Sequence, residues 1–455
     1  MSKVLPHNPE FRRTFKLGFS ATRLLIDPFL IGLALASVVY TERHNIDLWV
    51  IIFYAAQAGF FFFTVLWGSY QASQSLVREF SAGTWDTQRM SALGPWQMVW
   101  GKLFGATFHV WYDGAFLLLL IFISSLGMEE ITDSLLIVLA WAAFAVMVHA
   151  ISMMLSLSPR AKNLPATGVL GLLLCLLLTA PSLALRDPQT CVWLGLEMER
   201  PTFALLSLLA LCGWSLVGLW QAMRRELFER NTPWWWLGFL LFWLLWGMGL
   251  LSPARSVIEW IKWIDYLSYT ALLAWVSVYV QLLLAPKDPA TGQQIFIAWQ
   301  RRDKVRILHR LPNYLVSVLF AFALSLITGL VNYLAFKNGT IPLRELAFTP
   351  LLFAPFVIRD LACVLWFHLT PNIKNPLGVT FVAFLVLYAL CHALFRESPL
   401  YFAFVPLPLY PRILEITVPQ LAVGILLPVA QAILAVWLLH GCWQKHWAGT
   451  PRRTP

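Results

Sequence analysis

Charge is what this chain has least of. Of 455 residues only 12% are Asp, Glu, Lys or Arg, against about 25% in ordinary soluble domains, while 59% are hydrophobic. Polar stretches are short as well, none approaching the minimum of about 50 residues that a separate soluble domain needs. The balance predicts an all-α integral membrane protein whose chemistry sits in the membrane or on a partner. Cysteine offers little: Cys175, Cys191, Cys212, Cys363, Cys391 and Cys442 show no C-x-x-C spacing. They read as small buried hydrophobes, with neither a metal site nor a disulfide framework favoured. A cleavable signal pattern is missing too, because Met1 to Arg23 is polar and mixed, so the first apolar run is expected to stay as a span.

Catalytic signatures are equally scarce. The histidines are scattered, with no His-Glu-x-x-His, no paired catalytic carboxylates and no nucleophile elbow. The stretch from Gly94 to Leu103 looks like a phosphate loop, but six residues separate Gly94 from Gly101, and Leu103 follows the lysine where Ser or Thr is required. No catalytic residue, metal, cofactor or nucleotide site is expected in the chain.

What is present is apolar and repeated. A bilayer core of about 30 Å needs roughly 20 apolar residues per helix. That length predicts spans at Leu24-Tyr40, Leu48-Ser69, Gly101-Ser125, Ser134-Leu157, Thr167-Leu185 and Thr202-Met223, then at Trp234-Leu251, Tyr266-Ala285, Tyr314-Tyr333, Phe348-Leu369, Leu377-Leu394 and Val418-Leu439. RRTF at Arg12 recurs as RREL at Arg224, and SPRAKN at Ser158 as TPNIKN at Thr370, both offset by 212 residues. About 12 transmembrane helices in a 6+6 tandem pseudo-repeat are therefore predicted, with halves 1–223 and 224–455.

The net charge of +10 would suggest nucleic acid in a soluble protein. Sorted by loop, however, the alternate segments that include both termini carry more than twice the Lys and Arg of the others. The positive-inside rule then predicts both termini cytoplasmic, and no nucleic acid is needed to explain the charge. Before the first span Phe11, Phe15 and Phe19 share a helical face while Arg12, Arg13, Lys16 and Arg23 take others, as in a helix lying in the inner interface. The outer loops Arg186-Arg200 and Arg396-Ile416 are long enough to re-enter the membrane as a cap. Trp234-Trp235-Trp236 is placed for an interfacial belt.

Ionisable residues inside spans are costly and point to function. His109 and Asp113 in the third span, His149 in the fourth, Arg359 and Asp360 in the tenth and His392 in the eleventh are the candidates. Locking helices together, contacting substrate or gating, and relaying protons all remain open for them. Arg359 and Asp360 point about 100° apart, so partners on other helices are expected, Asp113 among them.

The most distinctive polar segment is 76–102, between the second and third spans. Its hydrophobic residues alternate with Arg78, Glu79, Asp86 and Arg89, predicting a short cytoplasmic helix broken at Gly83 and Pro95, with Gly101-Lys102 marking return to the membrane. The segment resembles the first cytoplasmic loop of type-2 ABC exporter permeases, whose pattern is Glu, three residues, Gly-Thr, then Pro and Gly-Lys. Here those are Glu79, Gly83, Thr84, Pro95, Gly101 and Lys102. The basic N-terminal helix (Asn8-Pro9-Glu10-Phe11-Arg12-Arg13), the six-span half and the short turns are also similar. The resemblance implies that these residues and Asp86 couple to cytoplasmic ABC ATPase subunits, in two copies, which hold the ATP and Mg.

The counterpart segment, 286–313, lacks that pattern and is more basic, with Arg301, Arg302, Lys304, Arg306 and Arg310. Either Arg301 and Arg302 contact the ATPase differently, or the basic face meets membrane lipids. The function implied by the resemblance is an exporter permease of the cell membrane, in the inner membrane if the host is Gram-negative. A twelve-helix secondary transporter of the major-facilitator kind also fits the count, but resemblance to that family would imply a short second loop and a long central one, the reverse of this chain. A membrane-embedded lipid-linked transferase would need a convergent catalytic set.

Overall fold

A computed structural model describes residues 8–18, 20–42, 47–91, 93–128, 130–157, 190–193, 196–229, 231–249, 257–284, 289–337, 350–371, 373, 375–395, 398, 401, 404 and 418–447. The chain divides into two compact units, Met1–Asn231 and Thr232–Pro455. Among the described residues nine helices are long and apolar enough to cross a membrane, so this is a multi-pass α-helical membrane protein. The predicted spans Trp234-Leu251 and Tyr266-Ala285 fall on the helices Trp234–Gly249 and Val257–Leu284. The predicted span Thr167-Leu185 lies outside the described residues, as does the loop Arg396-Ile416 except for residues 398, 401 and 404.

The first unit opens with α1 (Pro9–Gly18), whose first turn is capped by Asn8: its Oδ1 accepts from the backbone N–H groups of Glu10 at 3.0 Å and Phe11 at 3.3 Å. Then come α2 (Ala21–Glu42) and α3 (Leu48–Gly59), the latter continuing through a π-helical stretch, Phe60–Trp67, into α4 (Gly68–Ser81). The second predicted span was bounded at Ser69 by hydropathy, yet the helix runs on to Ser81. Packing carries it further, because Ala72, Ser73 and Leu76 are fully buried in spite of the polar residues between them.

The short helices α5 (Trp85–Arg89) and α6 (Pro95–Trp100) follow, then a π-helical turn, Gly101–Gly105, and α7 (Phe108–Leu126). The third apolar helix thus begins at Phe108, after a turn at Ala106 and Thr107, and not at the predicted Gly101. Among the described residues of the unit, α8 (Ile131–Ser156) and α9 (Arg200–Glu226) are its last helices. A small antiparallel hairpin precedes α9, pairing β1 (Thr190–Trp193) with β2 (Leu196–Glu199) in the register Thr190 to Glu199 and Trp193 to Leu196, a departure from an all-helical chain. The core joins Leu76, Trp85, Met98, Val99, Leu103, Met153, Leu157, Leu219 and Met223. The polar segment therefore contributes buried residues of its own.

The second unit holds α10 (Trp234–Gly249), α11 (Val257–Leu284), α12 (Pro289–Gln300), α13 (Lys304–Arg310) and α14 (Asn313–Lys337). After these come α15 (Ala354–Leu369), α16 (Pro376–Phe384), a π-helical stretch Leu385–Leu390, α17 (Cys391–Phe395) and α18 (Val418–His446). Its core packs Ala271, Trp275 and Val278 of α11 against Ala321 and Leu324 of α14 and Val357 of α15. Indole groups pin the layers. Trp275 Nε1 donates to Ser325 Oγ at 2.9 Å and Trp236 Nε1 to Ser317 Oγ at 2.8 Å. Of the tryptophan triplet expected at an interface, Trp234 and Trp235 are exposed while Trp236 turns inward to that serine.

Candidate functional site

Four charged side chains meet where α1 crosses the π-helical turn Gly101–Gly105. Lys102 is fully buried, with Nζ 2.9 Å from Glu10 Oε1 and hydrogen-bonded to Glu79 Oε2. Arg13 donates to both Glu10 oxygens, at 3.0 Å through Nε and 2.9 Å through a terminal nitrogen, and also to Glu79. Two cations thus alternate with two carboxylates, and the charges balance. A buried lysine with one of these carboxylates missing would be strongly unfavourable, so the cluster holds or fails as a set. Burial alone would push the Glu10 carboxyl up, but the Arg13 guanidinium and the Lys102 ammonium hold it below the usual carboxylate range. Hydrogen bonding to Glu10 pushes the Arg13 guanidinium up, burial opposes this, and Glu79 adds to the rise.

Glycines make the approach close enough. A Cβ on Gly101 would lie 2.8 Å from the Phe11 backbone nitrogen, and one on Gly105 only 2.2 Å from Thr14 Oγ1. Thr14 fills the gap by donating to the Gly101 carbonyl at 3.0 Å and the Glu10 carbonyl at 2.9 Å. Small residues four apart let two helix backbones touch, as they do in membrane helix pairs generally. Phe15 closes the edge against Phe108, with ring centroids 4.5 Å apart.

The rest of segment 76–102 is shaped by this anchor. Gly83 has φ +68°, closing α4 with Thr84 N–H bonded to the Glu79 carbonyl at 3.1 Å and Gly83 N–H to that of Phe80 at 3.3 Å. Only glycine adopts that backbone without strain. Pro95 occupies the first turn of α6, where its missing N–H costs nothing, so it opens a new helical piece after the break that the sequence predicts. Trp85 is buried with its ring 5.6 Å from the Lys102 ammonium. On the far side Arg89 bonds Glu226 at 3.3 Å and stacks 4.4 Å from the ring centroid of Phe228, just beyond α9.

Between these two anchors Gly83, Thr84, Asp86 and Met90 face outward, Met90 with 81% of its surface exposed. The predicted coupling residues therefore divide. Glu79, Gly101 and Lys102 are taken up inside the unit, whereas Gly83, Thr84 and Asp86 lie on its surface. Glu10 and Arg13 were missed as members of the site because nothing in the local pattern pairs α1 with a loop so far along the chain.

The second unit buries a different cluster. Asp360, fully buried on α15, accepts from Arg359 Nε at 2.9 Å, from Tyr279 Oη of α11 at 2.7 Å and from Tyr388 Oη. Arg359 also donates to Gln431 Oε1 of α18 at 2.6 Å and to Tyr388 Oη at 2.7 Å. Tyr388 lies in the π-helical stretch, so four helical segments converge on one ion pair. The partners on other helices are thus Tyr279, Tyr388 and Gln431, in place of the expected Asp113. A charge pair whose hydrogen-bonding groups are this fully used ties helices together. Tyrosine and glutamine in apolar runs carry no sequence signal for such a role.

The remaining intramembrane candidates stand apart from both clusters. Buried His149 donates from Nε2 to the Thr64 carbonyl at 2.8 Å, and Gly68 leaves room for its ring. Asp113 is partly buried on α7 and within electrostatic reach of Asp27 on α2, an intramembrane carboxylate that sequence reasoning passed over. Of His392 only the helical backbone is described. Arg301 and Arg302 sit exposed at the turn between α12 and α13, where Arg302 has φ +54°.

No family model, curated protein or solved structure matches this chain.

Proposed function

We propose that this chain is the membrane-spanning permease subunit of an ATP-binding cassette exporter. In this reading it holds twelve spans as two diverged six-helix halves, with both termini cytoplasmic, in the cell membrane or in the inner membrane of a Gram-negative host. The driving nucleotide and Mg belong to two separate ATPase subunits docked from the cytoplasm. One observation carries the reading: segment 76–102 is a folded platform, anchored through Lys102 on one side and Arg89 on the other, with Gly83, Thr84, Asp86 and Met90 turned outward between the anchors. A surface held this firmly can receive a push and pass it to α1, α8 and α9. A free loop could not.

The test uses the tagged full-length chain in mild detergent. An ATPase subunit is expected to co-purify, and Met90→Glu to release it while leaving the melting temperature unchanged, because that side chain is exposed. Purification as a single component that couples transport to a proton gradient would overturn the proposal.

A further inference from the structure

The basic segment of the second unit has a surface that the transport reading does not use. Four residues separate α12 from the end of α11 and two separate α13 from the start of α14, so the pair lies at the level of those two helix ends. The far end of the unit holds it there. Gln293 Nε2 donates to the Trp447 carbonyl at 2.8 Å, Trp443 packs over Gly292, and the Trp447 indole donates to the Leu369 carbonyl at 2.8 Å. Helix α12 is therefore fixed against the ends of α18 and α15, at the rim of the helical bundle.

Its outward side is both apolar and cationic. Phe296, Ile297 and Trp299 are exposed, Trp299 to 67%, and Val305 on α13 is exposed to 67%. Phe296 and Trp299 form a ring pair with centroids 6.2 Å apart. Arg301, Arg302, Lys304, Arg306 and Arg310 are all exposed beside them, with Asp303 the one acidic residue among positions 289–310. Asp303 is committed to capping α13, accepting from the Arg306 N–H at 3.0 Å and pairing with its guanidinium at 3.2 Å. The turn that gathers the cations is closed by Arg302 in the left-handed region, with Asp303 N–H bonded to the Ala298 carbonyl at 2.9 Å.

Large apolar side chains next to guanidinium groups, at the level where membrane helices end, match the boundary between acyl chains and anionic headgroups. We propose that α12 and α13 form a binding surface for anionic phospholipid: Phe296, Trp299 and Val305 enter the interface, and Arg301, Arg302, Lys304 and Arg306 bind headgroup phosphates. Charge complementarity selects the occupant, since a zwitterionic surface would leave this cationic cluster uncompensated.

Full-length protein in nanodiscs of phosphatidylcholine alone, or with phosphatidylglycerol added, gives the test by hydrogen exchange of residues 289–310. The segment should exchange several-fold more slowly in the anionic discs. In detergent, the protein should bind phosphatidylglycerol in preference to phosphatidylcholine, and each cation near an anionic surface weighs about fivefold. R301Q/R302Q/K304Q/R306Q should therefore lose at least about tenfold of that preference and all of the exchange difference. Trp299→Ala should weaken both lipids alike. Equal exchange in both discs, or slowing that appears only when an ATPase subunit is added, would overturn the proposal. The outcome is independent of the transport mechanism.

Discussion

Lys102 Nζ lies 2.9 Å from Glu10 Oε1 with both side chains out of solvent, joining the N-terminal helix to the end of segment 76–102. Its neighbour Glu79 shares the same ammonium. Each charge in the set exists because the others do, and the first predictions follow from that dependence.

Lys102→Met removes the buried cation and leaves two carboxylates with Arg13 alone between them. Breaking a buried pair in this way costs about 3–5 kcal/mol, whereas exchanging a whole set for neutral groups of similar volume is often near neutral. Lys102→Met should lower the unfolding midpoint sharply, and adding Glu79→Gln, which leaves the balanced pair of Glu10 and Arg13, should recover most of the loss. Thermal unfolding in detergent decides it, additive losses being the contrary result.

Acid should release α1. Because the Glu10 pKa is lowered on folding, its contribution is fully present above the ordinary value of 4.5 and is lost as pH falls through the lower folded value. Hydrogen exchange of residues 9–18, corrected for intrinsic rates, should be flat from pH 8 to 6 and accelerate only below the ordinary carboxylate range. Glu10→Gln should abolish that acid step.

Gly105→Ala would place a methyl group 2.2 Å from Thr14 Oγ1 and 3.1 Å from the Phe11 carbonyl. Helix α1 must shift or detach, at a cost of about 1–3 kcal/mol for overpacking. Limited proteolysis should then cut within residues 9–18 of the variant faster than in the parent protein. Gly213→Ala, where a Cβ meets nothing within 4 Å, is the control and should behave like the parent.

Asp360→Ala strands Arg359 among apolar helices and should cost about 3–5 kcal/mol. Tyr279→Phe removes one of three donors to that carboxylate and should cost about 1–3 kcal/mol. The order of the two midpoints is the check. If Asp360→Ala unfolds no earlier than Tyr279→Phe, the pair is not what ties α11, α15 and α18 together.

Much of this was legible from residue order alone. Apolar runs such as Leu48-Ser69 and Ser134-Leu157 marked their helices because a bilayer demands about 20 apolar residues whatever the neighbours do. Gly83 marked a break because no other residue reaches φ +68° without strain. Helix ends were less legible. Burial of Leu76 extends α4 well past the point where hydropathy stops, a result of contacts with α8 and α9 that no window of sequence contains.

Sequence by itself determined that this is a multi-pass helical membrane protein, because partition of side chains between water and lipid is a local property that sums along the chain. Tertiary structure alone decided which charges meet. Lys102 finds Glu10 and Glu79, and Asp360 finds Tyr279 and Tyr388, because a buried charge is tolerable only beside its complement, and that complement is set by which helices pack together.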